Sequence, residues 1–260
     1  MNPVLELLFN RKSVRAYEDR PVSPEARDAI LKAAMRAPTA GNLILYSIIE
    51  VDDPQAKKRL AVTCDNQPFI ATAPMVLLFL ADYQRWYDYF LACGVEEYCQ
   101  RGGATMRGPE EGDLFLACCD ALIAAQTAVI AAGSLGIGSC YIGDIMENYE
   151  IHREMFDLPR YTFPICLVCF GYPTPQQSKR ELTERFDRRF IVFQDRYRRL
   201  SREESEEMYR AMHARAFAGE DRAEGPSNVG QLVYERKFGA DYALEMNRSV
   251  RAILAAWSKQ

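Results

Sequence analysis

Arg11-Lys12-Ser13-Val14-Arg15 sets three cations and a hydroxyl within five residues. That combination suits a phosphate: arginine grips the anion through paired charge-assisted hydrogen bonds, lysine adds a point charge, and serine donates from its hydroxyl. Short basic runs usually lie on solvated faces, so the cluster gains meaning from what accompanies it. Arg36-Ala37-Pro38-Thr39-Ala40-Gly41-Asn42 ends a helical stretch in small and polar residues, and Gln67 precedes Pro68 in a turn where its amide can read the polar edge of a ring. Gly133-Ser134-Leu135-Gly136-Ile137-Gly138 has glycines in the order G-x-x-G-x-G and follows a helix, so it is not a dinucleotide fingerprint. These glycines are expected to end that helix and turn the chain into Tyr141-Ile142-Gly143.

The chemistry the chain lacks narrows the reading further. His152 and His213 each stand alone, and no serine or cysteine falls into a nucleophile-and-base pattern. Cys166 and Cys169 have C-x-x-C spacing inside an apolar strand pattern, where side chains three apart face opposite ways, so no metal is expected. Cys118, Cys119 and Cys140 also sit in apolar runs and read as small hydrophobes, with no disulfides expected, as suits a reducing cytoplasm. A formal net charge of -4 offers no field for a polyanion, so nucleic acid is not an expected partner. The opening residues carry no signal-peptide pattern.

Elements able to position these residues follow from periodicity and capping. A short helix carries Val4, Leu5, Leu7 and Leu8, and Ser23-Pro24-Glu25 starts a second. Strands are expected from Tyr46 to Val51, Ala73 to Ala81 and Pro164 to Gly171, with helices from Asp53 and around Glu150 to Phe156. Trp86, Tyr87, Tyr89 and Phe90 mark an aromatic helix from Ala81 to Tyr98, with a loop from Gln100 to Gly112 after it. Asp113 to Gly133 is apolar almost all round, the pattern of a helix buried on every side; Asp120 and Gln126 argue against a membrane span. A capping box at Ser201-Arg202-Glu203-Glu204 begins a helix to about Phe217, Gly219 to Gly230 reads as a linker, and Val233 to Trp257 as an amphipathic arm expected to lie on a second subunit. The division expected is a core of residues 1–217 and a C-terminal extension of residues 218–260.

Taken in order, R-x-S-x-R at Arg11 to Arg15, the A-P-T-x-x-N turn at Thr39 and Asn42, Gln67, the S-L-G-x-G-x-x-Y-I-G run ending at Gly143, and Gly171-Tyr172-Pro173 followed by basic residues resemble the FMN-dependent nitroreductase family, particularly its larger members. The resemblance implies an α+β fold, a mainly antiparallel central sheet sandwiched by helices, in an intertwined homodimer with FMN at the subunit interface. It implies that Arg11, Lys12, Ser13 and Arg15 bind the phosphate and ring edge, with Lys179 or Arg180 closing over the phosphate. Thr39, Gly41 and Asn42 would approach from the partner, Gln67 would address the pyrimidine side, and Tyr141, Ile142 and Gly143 would lie beside the ring near N5. The activity implied is ping-pong: NADH or NADPH reduces FMN, and a nitroaromatic, quinone or similar small electron-poor acceptor takes the reducing equivalents. Trp86, Tyr87, Phe90 and Met106 are the candidate acceptor pocket. Alternatives on the same fold are flavin cleavage, reductive dehalogenation, or flavin binding without turnover. Two departures stand out: Lys179-Arg180-Glu181-Leu182 puts an acid where a second basic residue is usual, favouring Lys179 over Arg180, and Ser227-Asn228-Val229-Gly230 lacks an arginine that would favour NADPH.

Overall fold

A computed structural model describes residues 2–218 and 225–258. Contacts divide the chain into two units, Met1–Glu181 together with Glu245–Gln260, and Leu182–Leu244. The boundary expected at residue 217 therefore falls inside the second unit. Residues 219–224 of the expected linker lie outside the described residues, and a helix begins at Val229 within the remainder.

In chain order the first unit contains α1 (Pro3–Asn10), α2 (Pro24–Met35), β1 (Tyr46–Glu50), α3 (Pro54–Thr63), α4 (Phe69–Thr72), β2 (Met75–Asp82), α5 (Gln84–Ala92), α6 (Val95–Arg101), α7 (Glu111–Ser134), β3 (Gly138–Ile142), α8 (Tyr149–Met155), β4 (Thr162–Gly171) and α9 (Pro175–Lys179). The second holds α10 (Arg202–Ala216) and α11 (Val229–Val233), and α12 (Asp241–Ser258) runs back into the first. Ser23 caps α2 by accepting from Ala26 N at 3.2 Å, and Asp53 caps α3 by accepting from Gln55 N and Ala56 N. The aromatic stretch is two helices instead of one, because Gly94 adopts φ +67° and breaks it.

The four strands form one antiparallel sheet in the order β1-β2-β4-β3. Alternation sorts β2 cleanly: Met75, Leu77 and Phe79 join the core beneath α2 and α7, while Val76, Leu78 and Leu80 join the core beneath α3 and α4. Cys166 and Cys169 fall in these two separate cores, and all eight cysteines are free thiols. This is the α+β sandwich expected, with helices on both faces of the sheet.

α7 crosses all four strands. Its stretch of high mean hydropathy is long enough to span a membrane, but Leu114, Ala117, Ala121, Ala124, Ala128 and Ala132 are buried against the sheet and α2. Within this chain it is not buried on every side. Phe115, Leu116, Leu122 and Ile123 stay exposed, with none of the described elements covering that face. Asp120, the one carboxylate on its buried face, accepts from Ala40 N at 3.0 Å through Oδ1 and from Leu45 N at 3.2 Å through Oδ2. The turn it clasps contains three left-handed residues, Gly41, Asn42 and Ile44, a conformation that costs the non-glycine residues energy.

From Glu245 onward, α12 lies on its own chain, contrary to the expectation of a partner surface. Ile253 and Trp257 are buried in a third core with Leu45, Tyr149, Tyr161 and Phe163. Glu245 and Ser249 accept from Asn148 N and Tyr149 N, capping α8, while Trp257 Nε1 donates to Glu110 O at 3.1 Å at the start of α7. In the second unit, Ser201 Oγ accepts from Glu204 N, and Glu204 accepts from Ser201 N, so the expected capping box forms.

Replacing Asp120 by Asn turns one acceptor into a donor facing a backbone N–H. Asp120→Asn is expected to destabilise the protein by about 1–3 kcal/mol, read as a lower urea midpoint at unchanged slope.

Candidate functional site

The basic segment reaches its position by lying along the edge of the sheet. Val14 N donates to Ser139 O at 2.9 Å, making a parallel bridge between Ser13 and Ser139, and Tyr17 bridges Pro173. The approach is close. A Cβ on Gly138 would stand 2.6 Å from Val14 Cγ2, and one on Gly171 would stand 2.7 Å from Tyr17 Cδ1. Gly138 is therefore required by strand-edge packing, a role beyond the helix ending and turn expected for that glycine run. Tyr17 OH donates to Val14 O at 2.8 Å, and burial pushes its phenol far above the usual range.

Alternation along this extended stretch separates Arg11, Ser13 and Arg15 from Lys12 and buried Val14. Burial pushes the Cys140 thiol up, while Arg15, Arg11 and Ser13 beside it act in the opposite sense. On the other side, Lys12 Nζ donates to Ser178 O at 2.7 Å and to Arg180 O, the Arg180 guanidinium donates to Ser13 O, and Arg15 N donates to Gln177 Oε1 at 3.4 Å. Two stretches more than 160 residues apart are thereby tied together. Arg11, Lys12, Arg15, Lys179 and Arg180 form no ion pair among the described residues, although ion pairs are common elsewhere in the chain. Arg180 is engaged with the Ser13 carbonyl, whereas the Lys179 ammonium has no partner among the described residues. An open cavity of about 270 Å³ beside them is lined by Arg11, Lys12, Gly138, Ser139 and Pro173 among others.

Farther along β3, Tyr141 OH donates to Gln126 Oε1 at 3.3 Å and the Ile142 side chain is buried in the core, so these two can offer an outside group only their backbone. Gly143 closes the strand with space above it: a Cβ there would meet only Met146 Cε, at 4.0 Å. Next to it, Gln67 Nε2 donates to Asp144 Oδ2 at 2.6 Å and to Cys64 O at 3.1 Å. Asp144 was missed in the sequence, although it directly follows Tyr-Ile-Gly. So was Glu147, which is 4 % exposed, and whose carboxyl is pushed up to about 8 by burial and by Asp144 and Asp65.

Thr39, Gly41 and Asn42 lie at the opposite corner of the sheet. Thr39 Oγ1 accepts from Ile44 N at 2.8 Å, and the turn leads into β1 opposite Ala81, whereas Ser13 flanks β3 opposite Phe170 and so at the Met75 end of β2. Three strand spacings and six residues put the corners about 14 Å apart across the sheet and about 20 Å along it. One chain does not bring the two groups together.

Tyr87, Phe90 and Met106 line one cavity of about 350 Å³, joined by Tyr83, Cys99, Thr105 and Arg107, which the sequence did not single out. Trp86 is not part of it. Its indole Nε1 donates to Leu43 O at 2.8 Å, and its ring packs on Tyr89 and Phe90, so it braces the turn before β1.

The helix-sandwiched antiparallel sheet agrees with the comparisons. The Nitroreductase family pattern matches residues 8–172. FMN reductase [NAD(P)H] of Bacillus subtilis is 33% identical over 180 residues, 69% of this chain and 70% of that protein. The oxygen-insensitive NADPH nitroreductase of Salmonella typhimurium is 30% identical over 200 residues, 77% of each. The solved structure of NfrA2 from B. megaterium superimposes with a TM-score of 0.80 at 27% identity, covering 100% of this chain and 99% of that one. With the motifs, the fold and these relatives in register, the chain belongs to the nitroreductase family.

Proposed function

We propose that the chain is an FMN-dependent NAD(P)H oxidoreductase working as a homodimer, with nitroaromatics, quinones or similar electron-poor molecules as acceptors. The observation that carries this is a set of five cations that form no ion pair among the described residues, which a phosphate would neutralise. Along β3, Ser139 and Gly143 are about 13 Å apart, the kind of span needed between a phosphate and a flat ring joined by a five-carbon chain. Bound there, FMN supplies hydride transfer at N5. The chain itself holds the phosphate through Arg11, Ser13, Arg15 and Lys179 and leaves open space over Gly143 for the ring. No acid or base side chain is required.

The separation of the Thr39–Asn42 turn from the basic edge supports a site shared by two chains. So does exposed apolar surface: Phe115, Leu116, Leu122 and Ile123 on α7, and Val4, Leu5, Leu8 and Phe9 on α1. In Leu182–Leu244, the exposed Ile191, Val192, Tyr197, Tyr234 and Phe238 support this unit, in place of residues 218–260, as the extension that contacts a partner. The free thiols suit the cytoplasm. Tyr87, Phe90 and Met106 would line the acceptor side, and Trp86 would not.

Purified protein is expected to be yellow, to bleach with NADH or NADPH, and to turn over steadily with nitrofurazone or a quinone. A colourless protein that gains no flavin absorbance with added FMN, or stoichiometric destruction of FMN with oxygen, would overturn the assignment. Arg15→Ala is expected to weaken FMN binding by about 1.5–3 kcal/mol in a fluorescence titration; unchanged affinity would remove Arg15 from the site. Ile123→Asp is expected to shift the protein from dimer to monomer in light scattering and to lose FMN at the same time, whereas a monomeric variant that keeps its flavin would refute a shared site.

A further inference from the structure

Gln67 has a defined orientation that chemistry alone fixes. Both neighbours of its amide nitrogen, Cys64 O and Asp144 Oδ2, are acceptors, so both N–H groups point inward and the carbonyl oxygen is the only group left to face outward. Asp144 in turn is backed by Glu147, which is buried within one turn of it and has one carboxyl oxygen, Oε1, without any partner. Glu147 N donates to Asp144 O at 3.0 Å, and burial together with the neighbouring Asp144 and Asp65 favours the protonated Glu147 carboxyl, which can donate toward Asp144.

We propose that Glu147 donates to Asp144 and thereby locks Gln67 as a pure hydrogen-bond acceptor, so that the site selects a ring carrying an N–H at that position, the N3–H of the flavin pyrimidine. This rests on the FMN reading above. Asp144 and Glu147 are positioning residues that act through Gln67. The groups facing Glu147 are Asp144, Asp65 and Cys64 on one side, Glu245 of α12 on another, and His152 of α8, whose ring is bonded to Ile145 O and Thr63 Oγ1 and is held neutral by burial. No cation is among them. Every neighbour therefore favours the protonated form of Glu147, which is present below about pH 8 and lost above it. Above that pH Glu147 loses its donor, and Asp144 is no longer held toward Gln67.

Two measurements on the FMN-binding equilibrium test this. In the wild-type protein, FMN methylated at N3 should bind at least about tenfold more weakly than FMN, since it meets an acceptor with no donor; equal binding would overturn the proposal without requiring any variant. FMN affinity should be level near pH 7 and fall by up to about tenfold at pH 9, the loss expected if only the protonated form binds. Glu147→Gln, which carries a permanent donor, should keep the neutral-pH affinity and show less than about a twofold change over this range. An equal fall in Glu147→Gln, or no fall in the wild type, would overturn it. Wild-type protein that binds no FMN at any pH would remove the flavin reading and this one together; FMN binding with neither the N3 discrimination nor the pH dependence would remove this one alone.

Discussion

Like charges held together without a counter-ion are the constraint on which the rest of this structure turns. Arg11, Lys12, Arg15, Lys179 and Arg180 repel one another, by about 1 kcal/mol per pair at contact even in bulk water. The fold answers with neutral groups. Lys12 is anchored on the carbonyls of Ser178 and Arg180, Arg180 on the carbonyl of Ser13, and the segment as a whole by its bond to Ser139. Carbonyl oxygens orient a cation while leaving its charge available to an incoming anion, which a carboxylate would not. The two glycines that let the segment approach the sheet belong to the same solution, since a methyl group at either would push the cations off the edge that holds them.

Much of this was legible in the residues. Caps at Ser23, Asp53 and Ser201 located three helices, and the continuous apolar run from Ala73 to Ala81 located the central strand. The basic run and Gln67 suggested a candidate site from the residues alone, because short motifs of charge and amide carry their chemistry locally. What failed was set by contacts distant in sequence. Trp86 looked like pocket because an aromatic helix carries no mark of which ring braces a turn and which lines a cavity. Asp120 stood out only as a break in an apolar helix; its partners lie 75 to 80 residues earlier. Asp144 and Glu147 were silent for the same reason, their partner Gln67 being 77 residues from Asp144.

The mistaken placement of the last helix is instructive on its own terms. An amphipathic helix after a polar stretch looks like an arm seeking a surface, and period alone cannot say whose surface. Here the groove closed by Ile253 and Trp257 belongs to the same chain, the hydrogen bonds from Asn148 N and Tyr149 N are the ones α8 lacks at its first turn, and Trp257 ties the helix to the Glu110 carbonyl before α7. The helix completes the first turn of α8, and this is invisible to any pattern read along the helix itself.

That arrangement has a consequence for how the protein is made. The first unit is discontinuous: its opening 181 residues are synthesised, then some sixty residues of the second unit, and only then the helix that fills the third core. At about 5–20 residues per second, the nascent sandwich waits roughly 3–12 s with Leu45, Tyr149, Tyr161 and Phe163 uncovered. Chain growth thus leaves open, longest of all, the core beside the turn that Asp120 clasps. This core cannot close before Trp257 has been made.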